Sequence, residues 1–479
     1  MSVTPSPVSS FSVVSEKSCC EKDGISSTAT TVPVSEIDGI YQPIKRKKGL
    51  SANVTLINFL KGNIGPGCLS LPAAFKQAGV WMGFGLVFVF GILTKLSMQQ
   101  LVECSQYLSR KKDDIPLDYG NLMLEACDNS FEWIKKYKYF AKFTVNATIV
   151  ALQIGICGVY FVFISEHLKE LTEQYLNFEA PLTTFLLLLF IPICLVSFVR
   201  TLKGIAVFST IGNIFMTICL IYVFQYLIRT PHNLAELPWI TDFNGIMTAS
   251  GSILYAFEGQ AILLPMENKL KYPEDMLSTF GVLSTGMSLI TIIFAACGFF
   301  GFITYGHQVK GSITLNLPNN VEFSIIKLCL TAVVFLSFAI QFFVVVDLSW
   351  PTVRQYFIKK FSTKDFSSRY EYLYRIFCVF IAMSLAIGIP NLEEIIPLIG
   401  VTAGIFMAFI YPSLIDTMTF LPILLMKYQK IGLSSYRKRK ILLSIIYRMC
   451  RNFSLIVIAL FACGGGLYST VLELIHGYS

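Results

Sequence analysis

Charge is what this chain has least of. Asp, Glu, Lys and Arg together make up 14% of its 479 residues, against about 25% in a soluble domain. With 54% apolar residues and a mean hydropathy of +0.63, this deficit excludes a soluble globular body. Histidine is rarer still. His167, His232, His307 and His476 are the whole set, and their spacing fits neither a zinc site nor a catalytic motif. There is no P-loop and no dinucleotide fingerprint. An enzyme is therefore not expected, nor a metal or cofactor. The net charge of +8 does not indicate nucleic acid, because the basic residues fall between apolar runs. Met1–Gly49 is rich in Ser, Thr, Val and Pro and lacks an apolar h-region, so no cleavable signal peptide is expected. Without periodic apolar residues, 1–50 reads as a disordered tail.

What is present is a series of apolar runs. About 20 such residues cross a bilayer as a helix. A window of about 19 residues gives eleven spans, at 53–74, 78–103, 139–165, 181–199, 204–227, 245–266, 279–304, 322–348, 370–389, 394–425 and 451–474. The stretch 394–425 carries Pro397, Gly400, Gly404 and Pro412, which leaves a bend, a tilt or a miscounted span open. Lys45–Lys48, Arg110–Lys112, Lys135-Lys136, Lys359-Lys360 and Arg437–Lys440 all fall on one side of the membrane. The other side holds only Lys76, Lys169, Arg229 and Lys310. The positive-inside rule then sets the N-terminus in the cytosol and the C-terminus outside. None of the 13 cysteines falls in an exterior loop, so no structural disulfide is expected. Cys19-Cys20 suits palmitoylation or two ordinary tail cysteines equally.

Span one is interrupted by Gly62-Asn63-Ile64-Gly65-Pro66-Gly67. Hydrocarbon cannot satisfy a loosened backbone, so such a break is tolerated only where it lines a cavity or ligand. Eleven spans divide as five, five and one, and the first span of the second five, 245–266, is also punctuated, with Phe257-Glu258-Gly259 well inside. Matched interruptions point to a binding site at the membrane midplane. Half-helix N-termini suit a carboxylate, and freed carbonyls suit an ammonium. Together they match a zwitterionic amino acid. The candidate substrate-binding set is Gly62, Asn63, Ile64, Gly65, Gly67, Phe257, Glu258 and Gly259, with Gln153 and Tyr160 on span three and Gln341 on span eight as flanking groups. The plainer readings are a packing kink for the break and interhelical hydrogen bonding for the flanking groups. Glu258 and Lys61 are intramembrane charges and candidates for coupling. Lys95, Lys142, Lys327 and Asp347 lie nearer span ends, where snorkelling explains them.

At these residues the chain resembles the proton-coupled amino acid transporters of the amino acid/auxin permease superfamily. The resemblance rests on "LINFLKGNIGPGCLSLPAAFKQAG" (Leu56–Gly79), "LQIGICGVYFVFISEH" in span three, "AFEGQAILLPMENK" (Ala256–Lys269) and "KGSITLNLP" (Lys310–Pro318). It implies an all-α polytopic membrane protein of 11 transmembrane helices, a 5+5 inverted repeat of the LeuT type plus one. The repeats would cover 51–230 and 243–427, and 449–479 would hold the last helix. It also implies transport of small neutral amino acids, protons as the coupling ion, and residence in lysosomal, endosomal or plasma membranes. Two departures stand out. Members of the family carry a histidine in the span-one motif where this chain has Asn58, which cannot titrate. A disulfide cysteine of related members is replaced by Asn320. In the tail, Tyr41-Gln42-Pro43-Ile44 has the Tyr-x-x-Φ form of a sorting signal, with a cytosolic adaptor as partner, although so short a match also arises by chance.

Three functions remain open on the sequence: a proton-linked amino acid carrier, a proton-independent exchanger or facilitator suggested by Asn58, and an amino acid sensor that signals through the tail and the Arg437–Lys440 cluster.

Overall fold

The computed structural model describes residues 46, 49–112, 114–200, 202–361, 368–430 and 434–477. Tyr41, Ile44, Cys19 and Cys20 lie outside the described residues. Among those described the chain is all-α, with one isolated parallel bridge between Leu50 and Leu270.

The first apolar run forms two short helices, α1 (Ala52–Asn63) and α2 (Pro66–Ala78). A corner at Gly79 leads into α3 (Val80–Lys111). This corner requires glycine: φ is +89°, and a Cβ would stand 2.8 Å from the Trp239 carbonyl. A short helix, α4 (Tyr119–Asp128), precedes α5 (Lys138–Leu176), α6 (Leu182–Ser197) and α7 (Leu202–Arg229). The second interrupted run forms α8 (Phe243–Ala256) and α9 (Gln260–Glu267). Then come α10 (Val282–Tyr305), α11 (Val321–Phe361), α12 (Ser368–Gly388), α13 (Leu392–Ile399), α14 (Tyr411–Gln429) and α15 (Ser435–Gly477).

Among the described residues, seven helical stretches are long and apolar enough to cross a membrane: α3, α5, α10, α11, α12, the joined stretch Leu392–Gln429, and α15. The half-helices are too short to cross individually, at 12 and 13 residues for α1 and α2 and 14 and 8 for α8 and α9. They pack at the centre, α2 against α8 and α10. Phe75 of α2 is fully buried, wedged where both Gly83 and Gly298 lack a side chain, the close small-residue packing expected between membrane helices.

Several sequence expectations change in detail. The suspect stretch 394–425 is one continuous helical run, widened into π-turns at Gly400–Gly404 and Phe406–Ile410. The last helix begins at Ser435, well before 451, as a mostly exposed polar segment, and ion pairs anchor it where it enters the body. Arg448 meets Asp416 at 2.6 Å and Glu103 at 3.3 Å, and Arg451 meets Asp416 at 3.2 Å. Lys327 does not snorkel. It is fully buried, 2.9 Å from Glu170 and 3.1 Å from the Leu317 carbonyl, because neighbouring acceptors replace the water that snorkelling would have reached. Helix α4 was not anticipated. Asp118 caps it by accepting from the Asn121 amide at 2.7 Å, and Tyr119, Leu122, Met123 and Ala126 form its buried face.

The N-terminal approach to α1 is tied down. Arg46 donates its amide to the Lys271 carbonyl, Leu50 donates its amide to the Lys269 carbonyl, and the Lys271 amide donates back to the Leu50 carbonyl. The Arg46 guanidinium reaches the carbonyl of Glu267, whose carboxylate lies 3.7 Å away.

Helices α8 and the first π-turn approach so closely that a Cβ on Gly400 would stand 2.0 Å from the Gly251 carbonyl oxygen. Gly400→Ala is expected to destabilise the protein by about 1–3 kcal/mol. Gly464→Ala, where a Cβ meets open space, should stay within about 0.5 kcal/mol. Thermal unfolding in detergent measures both.

Candidate functional site

Pro66 sets the first break. It disfavours helical backbone in the residue before it, and Gly65 is extended at φ −133°, ψ −163°. Pro66 itself occupies the first turn of α2, where its missing N–H costs nothing. Ile64 leaves the helix at φ −84°, ψ 96°, its amide bonded to the Leu60 carbonyl. The carbonyls ending α1 and the amides opening α2 therefore lack the partners an unbroken helix would give them. Cys68 answers one by donating to the Gly65 carbonyl at 3.0 Å.

The second break has no proline. Phe257 and Glu258 close α8 with amides to the Ile253 and Tyr255 carbonyls, and Gly259 turns at φ −131°, ψ 5°. Asn63, from the other break, explains the glycine. Its side chain lies so near Gly259 that a Cβ there would stand 1.9 Å from the amide oxygen. Asn63 is buried and held in place by donating to the Phe59 carbonyl at 2.8 Å. Gly67 likewise faces α8, where a Cβ would be 3.1 Å from the Ala256 Cα and 3.3 Å from the Tyr255 ring. A Cβ on Gly62 would strike Ile262 at 2.5 Å. The structure thus brings Gly62, Asn63 and Gly67 of one break against the other.

Around this contact stand polar groups in apolar surroundings. Both Glu258 carboxylate oxygens are buried without a hydrogen-bond partner among the described residues, as are the side-chain oxygens of Gln153 and Gln260. Tyr119 and Tyr255 lie within electrostatic reach of Glu258, and Tyr160 within reach of Tyr255. Gln153, Cys157 and Tyr160 share one face of α5 by helical spacing. Gln341 donates to the Tyr160 hydroxyl at 3.5 Å. The second π-turn completes the setting. Tyr119 donates to the Met407 carbonyl at 3.1 Å, and Gln260 to that of Ala408 at 3.4 Å, which Ser97 also reaches. A buried carboxyl with no partner is costly. A proton on it, or a cationic group beside it, removes that penalty.

Two candidates lie elsewhere. Asn58 is exposed on α1. Lys61 lines a lateral groove between α1 and α7. Sequence reasoning did not single out Tyr119, Tyr255, Gln260 or the carbonyls of the π-turn. Gln260 was detectable as a polar residue directly after a break, but Tyr119 was not, because it reaches the site from α4.

A family model described as transmembrane amino acid transporter protein matches residues 48–462. The chain is 31% identical over 451 residues to probable amino acid transporter skat-1 of Caenorhabditis elegans, covering 92% of this chain and 94% of that one. It is 28% identical over 371 residues to the proton-coupled amino acid transporter-like protein pathetic of Drosophila melanogaster, covering 76% of each. A crystal structure of MhsT in complex with L-phenylalanine aligns with a TM-score of 0.48 at 15% identity, covering 89% of this chain and all of that one.

The contact between the breaks can be tested without assuming a ligand. Gly259→Ala is expected to cost about 1–3 kcal/mol by displacing Asn63. Adding Asn63→Ala should relieve part of it, with a coupling of at least about 0.5 kcal/mol in a double-mutant cycle. Additive losses in thermal unfolding would mean that the two residues are not in contact.

Proposed function

Since the chain belongs to the transmembrane amino acid transporter family, we propose that it is a secondary active carrier of small neutral amino acids, driven by protons, that works by alternating access around the two breaks. The observation that carries this reading is the apposition of the breaks, Asn63 against Gly259 and Gly67 against Ala256, beside a carboxyl group, Glu258, with nothing bonded to it.

The amides at the N-terminal end of α2 carry partial positive charge and attract the substrate carboxylate. The carbonyls at the C-terminal end of α1, around Gly62–Ile64, receive its ammonium group. Gly65 and Gly67 let the substrate approach the backbone, and the nearness of Ala256 and Tyr255 to Gly67 favours a small side chain. Tyr160, Gln153 and Phe257 wall the site. Glu258 takes up the proton, a role that Asn58 cannot fill. Lys61, turned to the lateral groove, stands apart from this chemistry.

The proposed framework is eleven spans, with 51–230 and 243–427 as inverted repeats and 449–479 following. It counts each broken pair and each shorter apolar helix, Leu182–Ser197 and Ile214–Arg229, as a span. In it the tail 1–50 and the basic segments face the cytosol, and the protein resides in a lysosomal, endosomal or plasma membrane. A sorting signal at Tyr41 and Ile44 would engage an adaptor there. Proton-independent exchange is the second reading, favoured by Asn58.

Uptake of radiolabelled amino acids by proteoliposomes, at two external pH values, tests the proposal. Acidification on the uptake side is expected to accelerate flux. Glu258→Gln should retain exchange while losing that response. Flux indifferent to an imposed pH gradient would establish the second reading instead. Gly67→Leu should insert normally yet lower uptake by at least about tenfold, because its side chain would fill the space through which substrate approaches the backbone. Unaltered kinetics in that variant would contradict the site.

A further inference from the structure

A cavity separate from the contact between the breaks lies on the outer side of the first one. A groove of about 630 Å³ runs between α1 and α7, with Ile293 of α10 contributing. Leu60, Ile64, Leu220 and Phe224 line it, while Ile57, Ile221 and Ile228 stand 51%, 63% and 55% exposed at its margin. In a bilayer those exposed residues face acyl chains, so the groove opens sideways into lipid.

One charge stands in this apolar setting. Lys61 lines the groove, and among the described residues its ammonium has no ion-pair or hydrogen-bond partner. Several other lysines are matched: Lys76 with Glu393, Lys112 with Glu125, Lys138 with Asp128 and Lys327 with Glu170. An intramembrane cation normally pairs or lines a functional pathway. Snorkelling is a poor alternative here. Lys61 is the tenth of twelve residues in α1, about 14 Å along the helix at 1.5 Å per residue, which approaches the middle of a hydrocarbon layer about 30 Å thick.

We propose that this groove binds a long-chain fatty acid, its carboxylate on the Lys61 ammonium and its chain along Leu60, Leu220 and Phe224. An apolar groove with one deep cation calls for a ligand with one long apolar body and one small anion. The volume lies within the usual range for small-molecule sites, about 300–1,000 Å³, and suits a single chain. A two-chain phospholipid holds its phosphate at the interface, away from Lys61. A neutral alcohol leaves the ammonium unmatched. The carboxylate–ammonium pair is a charge-assisted hydrogen bond in low dielectric.

Occupancy has a mechanical effect. Ile64, at the break, lines the same groove, so a bound chain braces α1 against α7. Resting on the transport reading above, the fatty acid would slow any cycle that requires α1 to tilt. Binding itself does not depend on that reading.

The experiment uses the full-length chain in phosphatidylcholine nanodiscs, stripped of fatty acid, with radiolabelled oleate as the probe. One saturable site per chain is expected. Oleyl alcohol should compete at least about tenfold more weakly, and Lys61→Gln should weaken oleate by a similar factor. Lys61→Arg should stay within about threefold. Leu220→Trp, which fills the groove and keeps Lys61, should abolish saturable binding. Because Lys61 lines an open groove, its two variants test the site even if the tryptophan variant fails to fold. Equal competition by the alcohol, or unchanged binding in Lys61→Gln, overturns the proposal. So does native mass spectrometry showing a two-chain phospholipid that oleate fails to displace. Oleate inhibition of amino acid uptake, measured separately in proteoliposomes and absent in Lys61→Gln, tests the mechanical effect. Its failure with binding intact would count against the brace and leave the site standing.

Discussion

Hydrocarbon forms no hydrogen bond with an open peptide group, so every interruption of a membrane helix must find its partners inside the protein. Much of the central architecture follows from that demand. Asn63 turns its amide back onto the Phe59 carbonyl, and Cys68 donates to Gly65. The second π-turn, which also loosens its backbone ladder, collects donors from Ser97, Tyr119 and Gln260. Three elements remote in sequence are drawn to one place because each supplies a donor or acceptor that lipid cannot. The Glu258 carboxyl stands out against this pattern, left open on both oxygens among the described residues, with the Gln153 and Gln260 side-chain oxygens open as well.

The rims of the molecule use a different means. There, charges taken out of water are matched in clusters. Asp416 joins Arg448, Arg451 and Asn452, which pins α15 to α14. Lys327 is surrounded by Glu170, the Leu317 carbonyl and Asn319, which ties α11 to α5 and to the connection carrying the Lys310–Pro318 motif. Breaking one partner of such a cluster leaves an uncompensated buried charge, so these clusters hold the helices around the softer centre.

Much of the fold could be read from the sequence, for reasons that separate cleanly. Apolar run length gave the helices, since hydrophobic thickness fixes how many residues must be greasy. The Gly65-Pro66 pair gave the first break through a purely local steric effect. Long-range events were not legible. Gly259 was marked by the second interruption, but that Asn63, nearly two hundred residues away, requires a glycine there was not visible in the sequence. Lys327 looked like a snorkelling residue because its acceptors come from other elements. Helix α4 escaped notice because a single amphipathic run of 10 residues is too short for a membrane window, and with it went Tyr119. Helices α11 and α15 extend beyond their apolar windows, which a hydropathy window does not register because it measures the apolar stretch rather than the helix.

The main-chain bonds at Arg46 and Leu50 bear on how the centre can move. They tie the approach to α1 to Lys269 and Lys271, directly beyond the end of α9. The outer ends of the two half-helices are thereby stitched by main-chain bonds and by the grip of Arg46 on Glu267. Under the proposed cycle, a doorway on that side would have two leaves fastened together: either both would swing as one panel, or these bonds would have to be unpicked first.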